Sequence, residues 1–175
     1  MKYKKFLITG GLGFIGGNFL KILTNKYPNS KFLNLDKITY AASKNLANEL
    51  KGNKNYNFQK IDICDFRKLK KKFDNFNPDI VVHFAAESHV DNSIKKPDNF
   101  INTNIFGTYN LLKLIKKKVK MIHISTDEVF GEANKKSFVE SSAYDPRSPY
   151  SASKASSDHL VRAWSNTYGM NYNID

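Results

Sequence analysis

The sequence predicts an α/β fold: a doubly wound, mostly parallel sheet with helices on both faces. Two observations carry this. Short apolar runs and amphipathic helical stretches alternate from one end of the chain to the other, and a glycine-rich turn, Gly10-Gly-Leu-Gly-Phe-Ile-Gly16, joins the first run to the first helix. Alternation of this kind buries strands on both faces and demands right-handed crossovers between parallel neighbours.

Strands are expected near residues 4–9, 31–35, 56–61, 79–84 and 119–124, each a short apolar run. Helices are expected near 14–26, 44–50, 66–73, 98–117 and 150–168. In the longest, Phe100, Ile101, Asn104, Ile105, Thr108, Tyr109, Leu112 and Ile115 recur at helical spacing along one side. Gly169 suits a helix C-cap. Tyr172, Asn173, Ile174 and Asp175 read as the opening of one more strand that does not complete. A six-stranded doubly wound sheet would want that strand beside the one at 119–124. Without it, Val119, Met121, Ile122 and Ile124 would lie on an open sheet edge. The expectation is one domain over residues 1–175, truncated before the last strand and before any separate substrate domain. No internal repeat, low-complexity tract or linker interrupts it.

Length and composition are those of an ordinary globular chain: 175 residues, 41% hydrophobic and 25% charged. No run of 18 apolar residues exists, so no membrane contact is expected. The start, Met1-Lys-Tyr-Lys-Lys before Phe6-Leu-Ile-Thr, mimics a signal peptide, but the glycines that follow favour a buried first strand. The single cysteine, Cys64, excludes an internal disulfide and fits a reducing cytoplasm. A net charge of +12 raises nucleic acid as a partner. The lysines concentrate in Arg67–Lys72 and Lys116–Lys120, at expected helix ends, where cations complement the dipole. Neither cluster is interleaved with aromatics for base stacking, so solvated surface is the expectation and nucleic acid is not. No metal site is expected.

The glycines at 10, 13 and 16 stand where a strand turns into a helix. A tight turn, a backbone pressed against a pyrophosphate and a close helix–strand contact each favour a residue without a side chain. Phe14 and Ile15 open the helix, whose free N–H groups and positive end suit phosphates. Asp36 ends the second strand, twenty residues past Gly16, where a carboxylate accepts from ribose hydroxyls and repels a 2′-phosphate. This is a Rossmann-type pattern, and it favours NAD over NADP. Lys37 complicates that preference without reversing it. The spacing of the glycines resembles the extended branch of the short-chain dehydrogenase/reductase superfamily. That resemblance implies further cofactor neighbours: Thr39, the adenine-side pair Asp62 and Ile63, the segment Phe84-Ala85-Ala86-Glu87-Ser88, and Thr103. A strand-end cap stays open as an alternative for Asp62.

Tyr150 and Lys154 are four apart on an expected helix, so the ammonium and the phenol share a face. An unperturbed tyrosine titrates near ~10, too high for a base at neutral pH. The lysine, a positive nicotinamide and a helix N-terminus would lower that value. At the carboxyl end of the fifth strand stands Ile124-Ser-Thr-Asp-Glu-Val-Phe-Gly131, where doubly wound sheets place ligands. Its distinctive feature is two carboxylates, Asp127 and Glu128, following Thr126.

With Leu35–Ala41, Ala85–Asp91 and Asn104–Leu112, this stretch resembles the dTDP-glucose 4,6-dehydratase family, over what would be the first half of a family member. The resemblance implies the following roles. Tyr150, with Lys154, takes the proton of the sugar's 4-hydroxyl while hydride passes to NAD, and Thr126 and Ser88 contact the substrate. Glu128 abstracts the hydrogen on carbon 5, and Asp127, protonated, donates to the departing 6-hydroxyl. Repulsion between neighbouring carboxylates can raise one pKa and keep an acid beside a base. The resemblance also implies a nucleotide-sugar substrate (dTDP- or UDP-glucose) and a homodimer paired through the helices of 98–117 and 150–168. Asn92 stands where the family usually has arginine, and Phe130 where it has tyrosine. His89 also suits a packed, hydrogen-bonded role, and His83 a structural one. Two other functions stay open: a different extended short-chain enzyme, such as a 4-epimerase or decarboxylase, and a non-catalytic NAD-binding module. Taken alone, 175 residues without a substrate domain are expected to lack turnover.

Overall fold

The short apolar runs form β1 (Lys5–Thr9), β2 (Lys31–Asp36), β3 (Tyr56–Lys60), β4 (Ile80–His83), β5 (Lys120–His123) and β6 (Tyr172–Ile174). In the computed structural model, which describes residues 3–133 and 137–175, they pair in the order β3-β2-β1-β4-β5-β6, all parallel. The chain winds outward from β1 to β3, then returns to place β4 on the other side of β1. The reversal leaves a crevice beyond the carboxyl ends of β1 and β4, where such sheets hold their ligands.

The pleat sorts the core. Phe6 and Ile8 of β1 pack with Phe32, Ile80 and Val82 on one face, joined by Leu20 and Leu50. Leu7, Leu33, Val81 and Met121 face the other side, under Leu69, Phe73, Leu111, Leu112 and Val161. The first face is covered by α1 (Phe14–Lys26) and α2 (Lys44–Leu50), the second by α3 (Phe66–Phe76), α6 (Thr108–Leu112) and α7 (Pro149–Tyr168). Local chemistry sets the helix ends. Ser43 caps α2 and Asp65 caps α3 through their side chains. Ser148 and Ser151 cap α7 reciprocally, with Pro149 in its first turn. Gly169 closes α7 at φ 66°, as expected.

Four expectations need correction. The last strand does form: β6 pairs with β5 through Met121 and Tyr172, Ile122 and Asn173, and His123 and Ile174. Met121 and Ile122 are therefore not on an open edge, because three residues suffice for a parallel ladder continued by the Asp175 N–H bond to the His123 carbonyl. The single helix expected over 98–117 is instead α5 (Pro97–Phe100), a π-helical stretch (Ile101–Gly107) and α6, ending at Leu112. Widening the helix turns Ile101 and Tyr109 outward, while Thr103, Asn104, Gly107 and Thr108 face inward. A further short helix, α4 (Val90–Lys95), lies where none was expected. Finally, α3 continues to Phe76, so Arg67–Lys72 is not at its end. These cations answer carboxylates instead: Lys68 pairs with Asp65, and Lys70 with Asp74 one turn on.

Candidate active site

The glycine turn is shaped by contact. Gly10 takes φ 73°, and a Cβ there would stand 2.5 Å from the Ala85 nitrogen, so the turn and the segment after β4 touch backbone to backbone. Gly13 differs. A Cβ on it would meet only the Gly10 carbonyl, at 3.3 Å, so its bareness leaves a cradle open at the start of α1. No side chain caps that helix start, and its N–H groups face a cleft of about 500 Å³. Every candidate cofactor residue except Glu87 lines this cleft. Asp36, Lys37, Thr39, Asp62 and Ile63 stand at one end, Gly10, Gly13, Phe14, Ile15 and Gly16 beneath, and Phe84, Ala85, Ala86, Ser88 and Thr103 along the side. Tyr150 and Lys154 close the other end. An elongated dinucleotide fits this layout: acceptors at one end, small residues and free N–H groups in the middle, a proton-transfer pair at the far end.

Asp36 is buried, and its two oxygens accept from the Leu12 and Ile38 N–H groups. Each oxygen keeps a further lone pair for a ligand hydroxyl. Asp62 does cap its strand end, accepting from the Cys64 N–H, while still lining the cleft.

Tyr150 is 8% exposed. Burial pushes its phenol above the ordinary value; the Thr126 hydroxyl pulls it back, while Glu128 and Asp127 push it further up. In the protein without cofactor this runs opposite to the lowering expected from sequence, because burial is the largest influence and the carboxylates add to it. Lys154, 4% exposed, donates to the Ile124 carbonyl, and burial lowers its pKa to about 8. Thr126 starts a 3-10 turn, Asp127–Phe130, with its hydroxyl accepting from the Glu128 N–H at 3.3 Å. Burial, then the Asp127 charge, raises the Glu128 carboxyl. The raised carboxylate is thus the one expected to act as base, and Asp127 is the more exposed. Phe130 packs edge-on against Tyr144.

Two supporting residues went unread in the sequence. Asn104, in the π-helical stretch, accepts from the Glu87 N–H and donates to the Glu87 carbonyl and the Ser153 hydroxyl. It ties the segment after β4 to the helix carrying Tyr150. Asp158 accepts from Ser125 at 2.6 Å and from Tyr144 at 2.9 Å, fixing the end of β5. A signal existed for Asp158: Tyr150, Lys154 and Asp158 continue one four-residue spacing. His123 stands 3.1 Å from it without hydrogen-bond alignment. His83 is structural, bridging Thr9 and Thr108. His89 is exposed and lies against Tyr40, so the packed, hydrogen-bonded role does not hold for it. Among the described residues no cluster of His, Cys, Asp or Glu is placed to hold a metal ion.

Fold and site together define an extended short-chain dehydrogenase/reductase. A model of the GDP-mannose 4,6 dehydratase family matches residues 7–174, and the chain belongs to that family. It is 46% identical to a dTDP-glucose 4,6-dehydratase of Haemophilus influenzae, covering 94% of this chain and 52% of the relative. The Salmonella typhimurium enzyme of the same name is 44% identical, covering 95% and 52%. The chain therefore spans about half the length of the curated relatives it matches. Among solved structures, a dTDP-glucose 4,6-dehydratase from Streptomyces venezuelae with NAD bound superposes with a TM-score of 0.90 at 40% identity, over 97% of this chain and 54% of that one. A UDP-Glc/GlcNAc 4-epimerase from Campylobacter jejuni gives 0.89 at 29% identity, over 98% and 52%.

Proposed function

We propose that this chain is the NAD-binding, acid–base half of a sugar-nucleotide 4,6-dehydratase acting on dTDP-glucose. The observation that carries this is the Thr126-Asp127-Glu128 turn beside Tyr150, with both carboxylates close enough to act on its phenol. The Streptomyces venezuelae relative has NAD bound, and the acceptors, bare glycines and helix start of this cleft suit the same cofactor. When bound, it supplies a reversible hydride acceptor.

The residues divide the remaining work. Tyr150 receives the 4-hydroxyl proton, with Thr126 holding the same oxygen and Lys154 supplying nearby positive charge. Oxidation at carbon 4 acidifies carbon 5, and Glu128, its basicity strengthened by burial, takes that proton. Asp127 donates to the departing 6-hydroxyl, so water leaves and the carboxylates exchange roles as acid and base. Epimerisation by rotation of a ketone needs no such pair, which favours the dehydratase reading although the fold matches epimerases equally well.

The same reading assigns a reducing cytoplasm, consistent with the free Cys64, and a homodimer through α5–α6 and α7. Exposed Ile101, Phe106, Tyr109 and Tyr168 on those segments supply apolar surface, and a light-scattering mass of two chains checks the pairing. The activity is tested in a chain carrying the further length that the relatives have. Glu128→Gln and Asp127→Asn are expected to let NADH absorbance appear while 4-keto-6-deoxy product falls about a hundredfold or more. Product at the parent rate from either variant removes that residue's role.

A further inference from the structure

Lys37 directly follows Asp36, and a cation in that neighbourhood is the feature that accommodates a 2′-phosphate. In the structure its ammonium is engaged by side chains of the protein. Its Nζ lies 3.0 Å from Glu87 Oε1 and donates to Thr103 Oγ1 at 3.2 Å. The side chains of this pair are only 31% and 12% exposed. Asn104 fixes the backbone from which the Glu87 carboxylate reaches Lys37, holding its peptide from both sides at 2.9 and 3.0 Å. Three separate segments thus converge on one ammonium: the end of β2, the turn after β4 and the π-helical stretch.

We propose that Glu87 is a specificity-determining residue for the cofactor, holding Lys37 away from the ribose so that Asp36 alone decides between NAD and NADP. This rests on the dinucleotide reading of the cleft. A 2′-phosphate then meets the Asp36 carboxylate with no compensating cation, and a ribose hydroxyl meets a willing acceptor. Neutralising Glu87 frees the lysine and supplies that cation.

The test is calorimetric titration of the 175-residue chain with NAD and with NADP. The variants are Glu87→Gln, Glu87→Ala and the double variant Lys37→Met/Glu87→Gln, each checked by thermal melting. Both single variants are expected to raise NADP affinity relative to NAD about tenfold, and the double variant to lose that gain. An unchanged ratio in folded Glu87→Gln and Glu87→Ala overturns the proposal, as does a gain that survives removal of Lys37. A parent chain that binds neither nucleotide overturns the dinucleotide reading itself, which separates the two failures.

Discussion

Lys154 is buried with its ammonium on a backbone carbonyl, and burial holds its pKa near 8 rather than at the ordinary 10.5. The consequence for stability has a definite sign. Below about pH 8 the lysine is charged in both states, and the fold bears the full cost of burying that charge. As pH rises from about 8 towards 10.5 the folded lysine sheds its proton before the unfolded one, so the penalty is relieved. Cys64 acts oppositely above about pH 9, because burial and Asp62 hold its thiol up to about 11. The measurement is therefore a difference between parent and Lys154→Met. Chemical denaturation at pH 7 is expected to show the variant more stable by roughly 2 kcal/mol, with the gap shrinking by pH 9. A gap independent of pH would mean that Lys154 does not titrate there. At this scale the sequence was partly legible. Spacing put Tyr150, Lys154 and the Asp127–Glu128 pair in one place, because periodicity and strand ends are local properties. It did not show the burial of Tyr150 or the approach of Glu128, which raise the phenol in the protein without cofactor, because neither is written in spacing.

The π-helical stretch Ile101–Gly107 lets one segment serve two neighbours. Its widened turn points Thr103 towards Lys37 and Asn104 towards Glu87 and Ser153, while Gly107 lies against Ile63. Regular helical periodicity hid this. Phe100, Asn104, Thr108 and Leu112 are buried as the pattern required, but Ile101 and Tyr109, equally apolar and equally well spaced, are not. An inserted residue per turn changes which side chains face inward, and nothing in the hydrophobic pattern announces it. Asn104→Ala leaves the Glu87 peptide without its side-chain partner and removes one of the two bonds at the Ser153 hydroxyl. The expected cost is about 2–3 kcal/mol in denaturant midpoint experiments, together with a roughly tenfold loss of NAD affinity. Loss of stability with full NAD affinity would show that the clamp supports the fold alone. By contrast, α1, α2 and the start and end of α7 were legible to within a residue, because a glycine turn, Ser43, Pro149 and Gly169 mark those ends chemically.

Over the whole molecule, the alternation of strands and helices made the parallel, doubly wound sheet legible, while the order β3-β2-β1-β4-β5-β6 came from the structure. At this scale β6 was read only as a strand opening that does not complete, yet its three residues are long enough to pair with β5. It pairs along β5, while the site stays open on another side. Asp127 is exposed, and Thr126 and Glu128 are only partly covered. Catalysis by charge and proton transfer depends on excluding water and on fixing the sugar's carbons against these groups. Much of that positioning energy comes from parts of a substrate remote from the reacting bonds, here the nucleotide. The cleft has one cofactor-sized space, lined from Asp36 to Tyr150, which NAD fills under the proposed reading. The 175 residues are therefore expected to bind NAD yet give no measurable conversion of dTDP-glucose. Calorimetry with NAD, followed by an assay for 4-keto product at millimolar substrate, checks both halves of the statement. Turnover of about one per second or faster, ordinary for enzymes, would show that the open site holds the sugar unaided. Binding without turnover, restored when the chain is extended to its relatives' length, would place the missing contacts outside the Rossmann sheet.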